Sequence, residues 1–147
     1  MNLNVQNIIA NLDSISSVEN PNELQKLDAS VQQLLASEKP ELGIDALLRV
    51  FERFPNKDGF GIFWSILSGL ERLPDYEEKL IESIRRQPSE FSLLMVNRML
   101  NAGITEVKGV KLLSLMKDVV TDSQQLEEIR AEAQGYVERQ QAKNKRT

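Results

Sequence analysis

The densest gathering of chemically capable side chains in this sequence is a run of carboxylates, Glu71, Asp75, Glu77, Glu78 and Glu82. Two carboxylates facing each other across a cleft do general acid–base work, as in glycoside hydrolysis. Here Asp75, Glu78 and Glu82 recur at three- and four-residue spacings, which places them side by side on one helix face instead. The rest of the catalytic repertoire is missing: the chain has no Cys and no His. That excludes a thiol nucleophile, an imidazole base, the common zinc ligand sets and the Ser-His-Asp triad. No pocket-building polar and aromatic residues accompany the acidic run, so the sequence reads as a non-enzyme with no cofactor and no metal.

An acidic face has another use. A block of like charge repels itself, and a cationic partner relieves that repulsion. Carboxylates near a helix start are also favoured by the helix dipole with no partner involved. Glu71, Asp75, Glu78 and Glu82 are therefore candidate contacts for a basic protein, against the plainer reading of a solvated face.

Two further segments stand out. Asp58-Gly59-Phe60-Gly61-Ile62-Phe63-Trp64 concentrates two glycines and three aromatics, with the single Trp, at a helix start. Either the glycines allow a tight turn while the aromatics fill the core, or Asp58, Phe60 and Trp64 stand at a hairpin tip as interface anchors, the role in which large rigid aromatics carry much binding energy. A phosphate-cradling loop is disfavoured, since no Lys follows the glycines and no strand precedes them. The second segment, Arg85-Arg86-Gln87-Pro88-Ser89-Glu90-Phe91, is followed by Asn97, Arg98 and Asn101. Arg86 suits a helix C-terminus and Ser89 suits an N-cap. Asn97 and Asn101 share a helix face with Arg98 beside them, which fits bracing between neighbouring elements or contact with a partner.

The elements that must position these residues are helices. Apolar residues recur at helical spacing throughout, and strand-like alternation is absent. The first stripe is Leu3, Ile8, Ile9, Leu12 and Ile15; Asn20-Pro21 opens a second helix through an Asn cap and a Pro at the first helical position. Pro40 starts a third, carrying Leu42, Leu47 and Phe51, and Phe54-Pro55 ends it, because the residue before Pro is pushed out of the α region. A fourth runs from the glycine segment to Leu73-Pro74, a fifth is capped by Asp75, and a sixth from Ser89 carries Phe91, Leu94, Met95, Met99 and Leu100 and stops at Gly103. Val107, Val110, Leu112 and Met116 read as a seventh, and Asp122 or Ser123 opens an eighth with Leu126, Ile129, Ala133 and Val137.

Pro40 and Pro74 lie 34 residues apart, and the next odd-numbered helix begins at about the same interval, as in helical-hairpin repeats. The expected fold is all-α: about eight helices in antiparallel hairpins, a HEAT- or armadillo-like right-handed stack, with an irregular helical bundle as the alternative. Residues 1–142 form one domain, and 143–147, with Lys143, Lys145 and Arg146, a polar basic tail too short for a nucleic-acid arm. A length of 147 residues with 41% hydrophobic and 27% charged residues suits one globular core. The start of the chain lacks the pattern of a secretory signal and no apolar run reaches membrane-spanning length, so a cytoplasmic protein is expected. The net charge of −4 favours a basic protein partner over nucleic acid.

On Asp58–Glu71 (DGFGIFWSILSGLE) and Ser83–Gly103 (SIRRQPSEFSLLMVNRMLNAG), the chain resembles the all-helical immunity proteins of bacterial polymorphic-toxin and contact-dependent growth inhibition systems. The likeness covers about the central third of the chain and lies in hydrophobic spacing, a Gly-aromatic helix start and an Arg-x-Pro-Ser-Glu-Phe turn, not in a catalytic signature. It implies a cytoplasmic protein that binds a cognate toxin domain, such as a nuclease, and blocks it by occlusion. The alternative from the residues alone is a scaffold or adaptor whose helical surface holds a peptide or regulatory protein.

Overall fold

The computed structural model describes residues 4–145, so Leu3 and Arg146 lie outside the described residues. The protein is all-α: α1 (Val5–Asp13), α2 (Pro21–Leu35), α3 (Ile44–Arg53), α4 (Ile62–Glu71), α5 (Tyr76–Arg86), α6 (Glu90–Asn101), α7 (Leu112–Thr121) and α8 (Glu127–Asn144). Short 3-10 turns at Pro40–Gly43 and Gly59–Gly61 lead into α3 and α4.

Local chemistry sets most boundaries. The Asn20 side chain accepts from the amides of Asn22 and Glu23, satisfying donors that the first helical turn leaves unpaired. Ser89 and Ser92 form a reciprocal capping box at the start of α6. Asp75 does not cap α5 as expected: its backbone is left-handed, with φ 60°, and its side chain makes no cap hydrogen bond. Its carboxylate therefore stays free of the helix it precedes.

The helices pack in two layers. In one, α3 lies between α1 and α5; in the other, α4 lies between α2 and α6, and α6 between α4 and α8. Packing of helices on the next-but-one through most of the chain is the geometry of stacked hairpins, whereas α7 packs on α6 and α8 instead of α5. Polar bonds cross the first layer at nearly one repeat length: Arg49 of α3 grips Asp13 at 2.9 and 3.0 Å, Lys79 of α5 reaches Asp45 at 3.1 Å, and Arg86 of α5 grips Glu52 at 3.1 and 2.8 Å. The last two pairs each span 34 residues, the interval separating Pro40 from Pro74.

Between the layers, Phe51 of α3 stacks on Phe91 of α6 at 5.5 Å and meets Phe63 of α4 at 5.2 Å, while Phe63 and Phe91 pack edge to face at 5.6 Å. All three are buried, and burying a side chain of this size contributes about 1.5–3 kcal/mol. Gly43 and Gly69 let Leu34 and Leu35 of α2 lie against the neighbouring backbone: a Cβ added at Gly69 would come within 2.7 Å of the Leu35 methyls.

Several expectations need correction. Val107 and Val110 are not helical. They sit in a minimal antiparallel hairpin, β1 (Glu106–Val107) paired with β2 (Val110–Lys111), closed by Lys108 and Gly109, both at positive φ. This is the backbone combination a tight two-residue hairpin turn requires. The eighth helix begins at Glu127, not at Asp122 or Ser123, and Leu126 just before it is exposed, as is Leu42. On α6, Leu94 and Leu100 are only half buried, whereas Leu93 and Val96 are fully enclosed. The tail drawn at residue 143 starts inside α8, and Gln140 just before it is buried.

Candidate functional site

The acidic junction is less exposed as charge than its sequence suggests. Glu71 receives a bidentate pair of hydrogen bonds from Arg98, at 2.8 and 2.9 Å, tying α4 to α6. Glu78 has Lys108 of the β-hairpin at 3.7 Å. Asp75 and Glu82 remain exposed. Two of the four expected contacts thus already face a cation of this chain, which weakens the self-repulsion that would have called for a basic partner.

The second polar segment is structural. Arg86 holds Glu52, whose second oxygen also accepts from the buried Ser83 hydroxyl at 2.7 Å. Gln140 of α8 donates to Asn97 and Asn101 at 2.8 and 2.9 Å, and Lys143 reaches Asn101 as well. The two asparagines do share a face, and that face braces α6 against α8. The Gln140 amide is the partner the sequence did not reveal. Arg98, Asn97 and Arg86 are therefore engaged within the fold.

The glycine–aromatic segment behaves differently. Gly59, Phe60 and Gly61 all have positive φ, at 58°, 51° and 91°. Left-handed backbone is ordinary for glycine and an outlier for a bulky L-residue. The turn is closed on Asp58, whose carboxylate accepts from the Phe60 amide at 3.0 Å and whose carbonyl accepts from Gly61 and Phe63 at 3.1 and 3.3 Å. Gly59 packs against the Phe63 ring so closely that a Cβ there would approach it to 2.8 Å. The chain is thus anchored to the aromatic core on one side of Phe60 while the Phe60 ring itself projects outward, 75% exposed. Trp64, one turn into α4, is 50% exposed and rests edge-on against Phe91 at 5.3 Å.

Carboxylates from three separate segments gather beside this tip. Burial of Glu90, at the start of α6, holds its carboxyl above the usual carboxylate range, and Glu132, Glu128 and Asp58 push it further in the same direction. Glu128 and Glu132 are four residues apart on α8 and share a face; Asn56 donates to Glu128 at 3.4 Å. Lys57, the nearby cation, is paired with Glu19 at 2.8 Å, which lowers the Glu19 pKa. A cleft of about 290 Å³ opens here, lined by Val18, Glu19, Lys57, Asp58, Phe60 and Glu90 among others. That lies at the lower edge of the roughly 300–1,000 Å³ of small-molecule sites. It suits a single side chain better than a metabolite. Asp58, Phe60 and Trp64 were candidates in the sequence; Glu90, Glu128 and Glu132 were not, because only the tertiary fold brings α8 beside the start of α6.

Comparison with protein-family models, with curated proteins and with solved structures finds no match to this chain. Among the described residues, no helix is long and apolar enough to cross a membrane.

Proposed function

We propose that this chain is an immunity-type inhibitor, a cytoplasmic protein that binds a basic toxin domain such as a nuclease and occludes it, performing no chemistry of its own. The observation that carries the reading is the presentation of Phe60: a strained backbone holds a large aromatic side chain in water, where it does little for the fold. Strain of this kind costs of order 1–3 kcal/mol and persists where the surrounding structure enforces it. An exposed, rigidly held aromatic is the kind of residue that anchors protein interfaces. The resemblance of the central third to helical immunity proteins supplies the class of partner, and the carboxylates near the tip supply the sign of its charge.

The test is co-expression with the toxin domain encoded next to this chain's gene. Cell survival with wild-type protein and recovery of a stoichiometric complex are expected. Unchanged toxicity would sink the reading and favour the adaptor alternative, which the two-layer hairpin stack also fits because such stacks commonly hold peptides.

A further inference from the structure

Phe60 and Trp64 expose aromatic surface on one edge of the stack, and four carboxylates stand close by. Asp58 belongs to the same turn, Glu90 begins α6, and Glu128 and Glu132 lie on α8. The charged groups acting on Glu90 among the described residues are anionic, and Lys57 is bonded to Glu19 while also feeling Glu128. Several carboxylates elsewhere in the fold meet cations of this chain: Asp13 with Arg49, Asp45 with Lys79, Glu52 with Arg86, Glu71 with Arg98. At the aromatic edge Glu90 instead faces Glu132, Glu128 and Asp58.

From this we infer that the Phe60–Trp64 edge, rimmed by Asp58, Glu90, Glu128 and Glu132, is the docking surface for a basic protein segment, and that the cleft beside Phe60 receives one of its arginine or lysine side chains. A guanidinium or ammonium over an aromatic face is attracted by the ring quadrupole, and the same cation would offset the mutual repulsion of Glu90, Glu128, Glu132 and Asp58, which Lys57, bonded to Glu19 and drawn to Glu128, relieves only in part. The apolar ring supplies contact area and the rim supplies orientation and encounter rate. A neutral or acidic partner would leave Glu90 and Glu128 desolvated without compensation, so the chemistry selects for positive charge. The acidic junction around Glu71, with its own arginine in place, is not this surface.

The inference rests on reading the chain as a binder of a basic protein, and it can be tested without the toxin. Trp64 is the single tryptophan and sits in the surface, so its fluorescence reports occupancy. The probe is a short peptide of alternating arginine and leucine, compared with the same peptide carrying neutral citrulline. The arginine peptide is expected to shift Trp64 emission saturably and to bind about tenfold or more tightly than the citrulline form, with affinity falling as salt rises. Phe60→Gly, and separately Glu90→Gln with Glu128→Gln, should each weaken binding by about tenfold, since each removes a charge-assisted or stacking contact. Asp75→Asn with Glu82→Gln should leave it unchanged. Equal binding of the citrulline peptide, absence of saturation, or loss of binding only in the Asp75/Glu82 variant overturns the proposal. The two readings separate cleanly. A peptide that binds the tip while no toxin is neutralised removes the toxin and keeps the surface. A toxin complex unaffected by the Phe60 and Glu90/Glu128 variants removes the surface and keeps the toxin.

Discussion

Replacing Phe60 by Gly and by Ala separates the backbone at the tip from its side chain. Both variants lose the same ring. With three quarters of it in water, only a quarter of a surface of roughly 150–250 Å² is withdrawn from solvent. That is about 50 Å², worth about 1 kcal/mol at 25 cal/mol per Å². The variants then differ only in conformation. At φ 51° an L-residue pays about 1–2 kcal/mol for the left-handed backbone and glycine pays nothing. Glycine gives back about 0.4–1 kcal/mol through the greater freedom of its unfolded chain. The balance leaves Phe60→Gly more stable than Phe60→Ala by about 0.5–1 kcal/mol, the reverse of the order found at helical positions, where alanine is preferred. Against wild type, the glycine variant should lie within about 1 kcal/mol and the alanine variant below it by a similar amount. Urea unfolding followed by far-ultraviolet circular dichroism resolves this, and the two melting temperatures should differ by about 2–4 °C. An alanine variant as stable as the glycine variant, or more so, refutes the left-handed strain at Phe60 and with it the structural basis for the projecting ring.

Phe51→Ala should cost about 3–5 kcal/mol in the same assay, since it empties the centre of the Phe51–Phe63–Phe91 cluster. Gly69→Ala should destabilise by about 1–3 kcal/mol, because its methyl meets Leu35 across the α2–α4 contact; an unaffected midpoint would show that α2 and α4 are further apart than described. Glu90→Gln should stabilise the protein at neutral pH. The folded carboxyl titrates above its ordinary value of 4.5, so between 4.5 and the raised value the folded state holds more proton than the unfolded state. Stability therefore falls as pH rises through that window. The benefit of the glutamine variant should vanish below pH 4.5, and a benefit that persists at low pH would assign the effect to packing instead of charge.

Much of the architecture was legible because its signals are local. Asn20-Pro21, Phe54-Pro55 and the Ser89 cap each act through the backbone within a few residues, and the structure follows them. The β-hairpin was not legible: Lys108-Gly109 lacks the usual Asn or Asp, and two residues a side are too few for alternation to show. Leu94 and Leu100 were assigned to the buried face of α6, yet α6 touches α3, α4, α5, α7 and α8. A helix packed on several sides carries apolar residues nearly all round, and periodicity alone cannot rank them. The glycines flanking Phe60 pointed to a tight turn, and the structure shows left-handed backbone at 59–61, because φ is a local property. Glu128 and Glu132 were not, since nothing within α8 tells which helix start it will cover. At the acidic junction the counter-ion was hidden for a related reason: Arg98 lies 27 residues from Glu71 in sequence, and only the α4–α6 packing brings the two together.

The left-handed turn at 59–61 also bears on how such a protein can change over generations. Gly59 and Gly61 take two of the three left-handed positions without cost, and the core contact is made by Gly59 and Phe63, so the side chain at position 60 owes the fold very little. With the proposed docking edge, exchange of that one residue changes what the edge offers a partner while leaving the hairpin stack nearly as stable as before. A lineage could then follow an altered partner through single substitutions at position 60 without first passing through a poorly folded intermediate. The flanking glycines are under the opposite constraint: a side chain at 59 collides with the Phe63 ring, and one at 61 strains the backbone even though the space around it is open.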